Sequence, residues 1–391
     1  MRYRTRWASL SSLPVLLASS GTFAISVRTG TDDFTLNINT NLQLRLEGSY
    51  AGPQPTATSG AAPSRHFNTD IFLRRASLSA RGTAYKLFTY YLKLEAGKFG
   101  ARGNYSTPSL IQDMVIGWVP VTDFNIEGGF LKTPLSRPAV DSSWRTNSLD
   151  GVSDILLYPN TRAQRQTGVQ VRGLLFDRRI LIRGGLYEGA RSGESGGSPT
   201  TFAPPFINRN GVPMYAGMVR LNLIGDETSY TYPAIHLDGK TYVSLGVGGQ
   251  YQSRSGAVKS DGTVNDYSAL AADFYTDLAL PGDMEAIFIL DGYQFDYGVG
   301  ASKTGHGVHS EVGFRWGHIA PQGNFYGFNS DTRVNSFFKL GGGLTYFVKQ
   351  HHAKIMTEFA STIANGTLPN TPGHPATPWL HQILVQAQLA F

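Results

Sequence analysis

From Phe34 to Tyr50 the chain alternates with period two. Leu36, Ile38, Leu42, Leu44 and Leu46 take one parity, and Asn37, Asn39, Asn41, Gln43, Arg45 and Glu47 take the other. So long a run at period two is an extended strand with one apolar and one polar face, since a core helix repeats its apolar positions at three and four. The pattern returns at Phe88, Tyr90, Leu92 and Leu94, at Val169, Val171 and Leu175, and at Val219, Leu221 and Leu223, each time interleaved with polar or charged residues. About sixteen such segments are predicted, to within two, starting near Phe34, Asp70, Lys86, Leu110, Asp123, Gln166, Ile180, Met214, Thr241, Asp266, Asp283, Val308, Gly323, Val334, Ala353 and Trp379. The stretch from Asn324 to Asn329 fits least well, because its apolar residues do not alternate.

The joins between segments give an independent signal. Those after odd-numbered segments are mostly long: Ala51 to Thr69, Lys98 to Ser109, Thr133 to Arg165, Glu188 to Pro213 and Ser361 to Pro378. Those after even-numbered segments are mostly tight: Thr83 to Tyr85, Pro120 to Thr122, Asp177 to Arg179, Pro281 to Gly282 and Lys349 to His352. Long loops on one rim and short turns on the other are what a barrel crossing an outer membrane requires, and a sandwich or solenoid would not produce that alternation. Gly225 to Lys240 breaks the rule, being long where a tight turn is expected. In the last segment Ile383, Val385, Ala387, Leu389 and Phe391 oppose Gln382, Gln386 and Gln388. Such a strand would be an open edge in a soluble protein, whereas in a closed barrel it pairs with the first strand. The expected fold class is therefore all-β: a transmembrane antiparallel β-barrel.

Composition narrows the alternatives. Of 391 residues 41% are hydrophobic and 16% charged, and no apolar run approaches the roughly 18 residues of a spanning helix. Arg2, Arg4 and Arg6 before the apolar stretch Trp7 to Leu17, and the small residues up to Ala24, read as an export signal over 1–24, leaving 25–391 as one barrel. Without those three arginines, 34 basic residues become 31 against 28 acidic ones, too small an excess to argue for nucleic acid. The absence of cysteine excludes a disulfide framework and thiol catalysis.

A Lys or Arg facing lipid at mid-bilayer costs roughly 2–4 kcal/mol, so parity assigns charges to the lumen. Arg45 with Glu47, Lys93 with Glu95, Arg172, Arg183, Arg220, Arg315 with Glu311, Lys339, and Lys354 with Glu358 all take the polar parity of their segments. Arg75 shares parity with Ser77, Ser79 and Arg81, which turns Arg74 outward toward lipid phosphate. Asp113, Glu127, Asp273 and Asp277 are further acidic lumen candidates.

Phe72-Leu73-Arg74-Arg75-Ala76-Ser77-Leu78-Ser79-Ala80-Arg81-Gly82 followed by Lys86-Leu87-Phe88 resembles the second and third strands of the phosphate-selective porin O and P family. Gly129-Phe130-Leu131-Lys132-Thr133-Pro134-Leu135-Ser136, then Thr167-Gly168-Val169-Gln170, is similar to that family's residues around its long third loop, and Gly342-Gly343-Leu344-Thr345-Tyr346-Phe347 with Ala353-Lys354-Ile355 to its next-to-last hairpin. The resemblance implies a sixteen-stranded barrel, usually trimeric, whose third loop, over 133–165 in this chain, folds inward to narrow the channel. It also implies a lumenal arginine ladder. Arg75 and Arg81 stand in the matching strand, and Lys132, Arg137, Arg145, Arg162 and Arg165 lie in or beside the loop, together with Asp141, Asp150 and Asp154. The family's lysine-rich mouth is absent, the other long loops offering little beyond Lys98, Lys259 and Lys303.

Other constellations carry less. His351 and His352 are adjacent and would point to opposite faces, a poor chelate; His306 and His309 read as a glycine-rich loop without an acidic ligand. Gly246-Val247-Gly248-Gly249 opens no helix and reads as small residues against a packed wall rather than a phosphate loop. No serine has a Gly-x-Ser-x-Gly setting, and most aromatics are assigned to the girdles at the two membrane interfaces. The expectation is a passive channel without catalysis, metal or cofactor, conducting small hydrophilic solutes with a mild preference for anions, phosphate being the one the resemblance implies. A sugar-conducting porin and a non-conducting structural barrel are the alternatives. Outer-membrane lipid and lipopolysaccharide, the barrel-assembly machinery and a homotrimer are the expected partners.

Overall fold

The computed structural model describes residues 25–28, 34–51, 66–105, 110–142, 144–149, 165–189, 211–257, 259, 263–301, 303–333, 336–365 and 379–391. The expected leader 1–24 and the second half of the third loop, with Arg162, Asp150 and Asp154, lie outside them.

A short strand β1(Ile25–Arg28) precedes sixteen long ones: β2(Phe34–Ala51), β3(His66–Ala84), β4(Phe88–Phe99), β5(Ile111–Val121), β6(Phe124–Lys132), β7(Arg165–Leu175), β8(Ile180–Tyr187), β9(Met214–Ile224), β10(Tyr242–Gln252), β11(Tyr267–Leu280), β12(Met284–Asp296), β13(Gly305–Trp316), β14(Ile319–Ser330), β15(Ser336–Lys349), β16(Ala353–Asn365) and β17(Trp379–Ala390). Each of the sixteen begins within four residues of its expected start. Neighbours pair antiparallel in chain order, and β17 returns to β2 from Leu380 opposite Ala51 to Ala390 opposite Asn41, so the sheet closes as a barrel. Where β17 ends, Phe391 exchanges backbone hydrogen bonds with Thr40, and β1 takes over as the partner of β2 from Thr35 to Ile38.

Burial is inverted relative to a soluble protein. Leu44 is 49% exposed on the outer face, while its neighbours Gln43 and Arg45 are 1% and 2% exposed inside. The outer belt is apolar all the way round, with Met114, Val219, Val247, Leu270, Leu340 and Ile383 exposed on it. Tyr85, Trp118, Trp316 and Tyr346 are exposed near the rim of short turns, and Phe67, Tyr215, Tyr251 and Phe338 near the opposite rim, as two aromatic girdles. This barrel is of the outer-membrane type, and the short turns mark its periplasmic rim.

Two departures from strict alternation have identifiable causes. In β3 a bulge at Arg74, opposite Gln43 and Leu44, flips the parity, so Arg75 faces inward below it and Phe72 above it. In β14, Tyr326 and Phe328 are 1% and 2% exposed and face inward, which is why that segment carries apolar residues on both parities. They belong to a larger set: Tyr187, Tyr267, Tyr275, Tyr293, Phe295 and Phe337 are also buried inside the barrel. The aromatics are thus divided between the girdles, where most were expected, and a packed lumen.

Val247 is central in β10 and 60% exposed on the lipid face. Val247→Arg should lower the unfolding free energy in lipid vesicles by roughly 2–4 kcal/mol, measured by denaturant titration. An unchanged midpoint would mean that this face does not meet lipid.

Candidate functional site

After β6 the third loop turns into the lumen and crosses the inner wall strand by strand. Leu135 lies against Gly248 of β10, where any Cβ would collide with the Leu135 carbonyl oxygen. The small residues of the Gly246 to Gly249 run are therefore the seat of the loop. Gly246 likewise leaves room for the ion pair between Arg220 and Asp273. Farther along, the Arg137 backbone N–H donates to Asp273 Oδ2 of β11 (3.0 Å) and Ser136 Oγ meets Tyr293 Oη of β12 (3.0 Å). Ser148 Oγ donates to Glu311 Oε1 of β13 (2.5 Å) and contacts Tyr326 Oη of β14 (3.0 Å). The Leu149 N–H donates to Glu358 Oε2 of β16 (2.8 Å), and Arg45 of β2 donates to the Leu149 carbonyl (3.1 Å). Acidic wall residues from β11 to β16 thus hold backbone N–H and hydroxyl groups of the loop.

The long join between β9 and β10, which broke the loop-length rule, enters the same lumen from the periplasmic rim. Tyr232 and Ile235 are fully buried there. Tyr232 bridges Asp141 in parallel, its carbonyl accepts the Ser142 N–H (2.8 Å), and the Ala234 N–H donates to the Arg145 carbonyl (2.9 Å). Glu227 Oε1 accepts from Arg137 Nη2 (2.7 Å), and its Oε2 lies 3.4 Å from Arg220 Nη2. The Arg137 guanidinium also donates to the Pro233 carbonyl and lies 3.5 Å from the centre of the Tyr275 ring. Segments from opposite rims are joined in mid-lumen by an ion pair and a short two-stranded bridge.

Among the described residues a cavity of about 580 Å³ stays open on the β2 to β7 side, lined by Asn37, Asn39, Ser77, Ser79 and Thr83 from the wall and by Trp144, Arg145, Tyr230 and Thr231 from the two inserts. Six expected site residues line it: Arg81, Lys93, Lys132, Arg145, Arg165 and Arg172. Four of these are committed to neighbours. Lys93 pairs with Glu95 (2.9 Å), Arg165 with Asp113 (2.9 Å) and Arg172 with Glu127 (3.3 Å), while Lys132 Nζ donates to the Asp141 carbonyl. Arg75 is inward but is held between Gln43 (3.0 Å) and Glu95 (3.4 Å). Arg81 and Arg145 differ: among the described residues neither has a carboxylate partner. Arg145 stacks on the Trp144 ring, 4.6 Å from its centre, and burial first, then the facing charge of Arg81, pushes its pKa down.

Arg45, Arg137, Arg183 and Arg220 face inward yet do not line the opening, which corrects their assignment to the pore surface. Arg137 and Arg220 are enclosed around Glu227, Arg183 donates to the Tyr230 carbonyl (3.0 Å), and Arg45 is held by Gln386 (2.9 Å) and the third loop. Parity places a side chain inside a barrel; it does not say whether a loop then covers it. Glu227, Trp144 and Tyr230 were not anticipated; the one signal toward Glu227 and Tyr230 was the excess length of the β9–β10 join, and Trp144 lies in the expected third loop beside Arg145.

His309 lies in β13, not in a loop, with Nδ1 2.5 Å from Asp291 and Nε2 3.3 Å from Glu311. Ser148 is nearby, but Glu311 stands between its hydroxyl and the imidazole, and all four side chains are buried. A serine nucleophile needs the imidazole as its direct partner and an open face for substrate. His351 donates from Nε2 to the Ile235 carbonyl (2.8 Å), a bracing contact to the β9–β10 join.

No protein-family model matches the sequence, and no curated protein matches it. Solved structures do match in fold. The anion-selective porin from Comamonas acidovorans superposes with a TM-score of 0.56 at 9% identity, over 92% of this chain and 100% of that one. The outer membrane channel DcaP of Acinetobacter baumannii gives 0.55 at 11% identity, over 93% and 99%. The trimer form of OmpT, an outer membrane protein of Vibrio cholerae, gives 0.52 at 11% identity, over 91% and 99%. The chain shares the fold of the outer-membrane porins.

Burial alone would raise the Glu227 carboxyl, but the charges of Arg137 and Arg220 and the hydrogen bond from Arg137 outweigh it and hold it at about 2. A carboxyl depressed below its ordinary 4.5 contributes stability that is present above that value and is lost as the pH falls through about 2. The part of the single-channel conductance that depends on Glu227 should therefore be flat from about pH 8 to about pH 5 and change only below about pH 4. A conductance step near neutrality that Glu227→Gln abolishes would contradict this.

Proposed function

We propose that this chain is a passive outer-membrane channel for small hydrophilic solutes with a preference for anions. The observation that carries the reading is the pair Arg81 and Arg145, two guanidinium groups on opposite sides of one open cavity without carboxylate partners among the described residues. Around them Lys93, Arg165 and Arg172 are matched by Glu95, Asp113 and Glu127, and Lys132 donates to a backbone carbonyl, so the local excess is positive where solute must pass. A guanidinium fork replaces part of the hydration of an oxyanion with parallel hydrogen bonds, and its charge does not titrate at any relevant pH. Exit stays easy because the cavity remains wet and the rest of its wall is neutral amide and hydroxyl. Phosphate is a candidate solute on this chemistry, alongside chloride and carboxylates. The name of the similar Comamonas acidovorans protein gives it as anion-selective, and the Vibrio cholerae one has a trimer form; we extend both properties to this chain as part of the proposal.

A sugar-conducting reading has one observation in its favour. Trp144, Tyr91 and Tyr230 also line the cavity, and the two tyrosine rings lie 6.4 Å apart, giving aromatic faces on which a pyranose could slide. Oligosaccharide block of the chloride current separates the two readings.

A unit charge about 4 Å from an ion in water is worth ~1 kcal/mol, a factor of about five in partition. Arg145→Gln and Arg81→Gln should therefore each lower chloride partition and raise potassium partition by up to about that factor, so that the chloride-to-potassium permeability ratio falls by up to about 25-fold, read from the reversal potential in a KCl gradient. If neither variant moves the potential, the anion reading is wrong.

A further inference from the structure

The β9–β10 join touches the third loop at Arg137, Asp141, Ser142 and Arg145, the whole stretch that leads into the channel. We propose that residues 226–240 are a second constriction element, inserted from the periplasmic rim, and that Glu227 is a positioning residue which, through Arg137, holds Arg145 in the ion path. This rests on the anion reading for its selectivity arm.

Arg145 is fixed through its own stretch of chain. Its guanidinium rests on the ring of its neighbour Trp144, and its backbone carbonyl accepts the Ala234 N–H of the insert. The fork can therefore point into the cavity only while residues 137–145 keep their place. Glu227 binds the start of that stretch with a carboxylate whose side chain is 2% exposed, where losing its partners would leave a buried charge without compensation. The insert also closes the route past β8 and β9: Tyr230 lies over Arg183, and Tyr232 stands between Arg137 and Arg220, 5.3 Å from each guanidinium. Ions are thereby confined to the β2 to β7 side, where Arg81 stands. The wall grips the same loop through Gln388 on the Trp144 carbonyl (2.9 Å) and Lys354 on the Thr146 carbonyl (2.8 Å), so fixation of Arg145 by the wall alone is the competitor to be excluded.

The double variant Arg137→Gln/Glu227→Gln removes one positive and one negative charge and leaves the net charge unchanged. Purified full-length in planar bilayers with KCl, it should show about a twofold higher single-channel conductance with sublevels, and an anion preference reduced toward that of Arg145→Gln. Wild-type conductance and selectivity in the double variant would overturn the proposal. Should the double variant yield no heat-modifiable barrel, Glu227→Asp keeps the charge and shortens the reach. It should move both readouts in the same direction, and wild-type behaviour there would overturn the proposal equally. If Arg145→Gln lowers anion preference and the clasp variants do not, positioning by Glu227 fails while the anion reading stands. If Arg145→Gln has no effect but the clasp variants raise conductance, the anion reading fails and the second constriction stands.

Discussion

Glu227 meets Arg137 and Arg220 in the middle of a sixteen-stranded barrel, and the rest of the lumen is arranged around that contact. A barrel of this size encloses more space than its own inward side chains fill, and an unfilled lumen would be a wide aqueous hole. Two segments fill it, one from each rim, and both bring polar backbone into a place with few water partners. Each N–H and carbonyl so buried needs a partner. The wall supplies carboxylates from Asp273, Glu311 and Glu358, and the inserts supply one another across the short parallel bridge at Tyr232. Charge from both inserts is neutralised together at the Glu227–Arg137 ion pair, and breaking such a buried pair costs about 3–5 kcal/mol.

The consequence for solutes is asymmetry. From β10 to β17 the inner face is rich in buried tyrosines, phenylalanines and acids, while from β2 to β7 it is a wall of Asn, Ser and Thr with charges spaced along it. Most of those charges are already paired, so the lumen's many arginines contribute less field than their number suggests. Arg81 and Arg145 stand apart because no carboxylate faces either of them among the described residues. Within the roughly 8 Å screening length of physiological salt, an ion in the cavity is exposed to the fields of these two.

The barrel was legible in the sequence because a lipid-facing strand must alternate and rims must differ in loop length; both constraints act residue by residue. Where alternation failed, Tyr326 packs against the third loop through Ser148, a contact between positions 178 residues apart that no local pattern encodes, and Phe328 packs against Phe295 of β12. The site was legible only in part for the same reason. Parity put Arg45, Arg183 and Arg220 inside and the expected third loop put Arg137 there, and the inserts then covered them. Glu227 left no chemical mark in the sequence at all. The only hint of it was a periplasmic join far longer than a hairpin needs, an anomaly in length whose meaning depends on where that segment goes.

The chain contains no cysteine, so an engineered pair would report on one contact alone. Asp141 and Tyr232 are bridge partners on segments that enter from opposite rims, and bridge partners fall in the roughly 4.4–6.8 Å Cα range that a disulfide spans. If the two inserts meet in mid-lumen, Asp141→Cys/Tyr232→Cys purified from membranes under mild oxidation should cross-link nearly completely, seen as a mobility shift on boiled gels that reductant reverses. A pair that stays reduced in a folded barrel would mean that the two segments do not meet in the lumen, and that the constriction is not built from both of them.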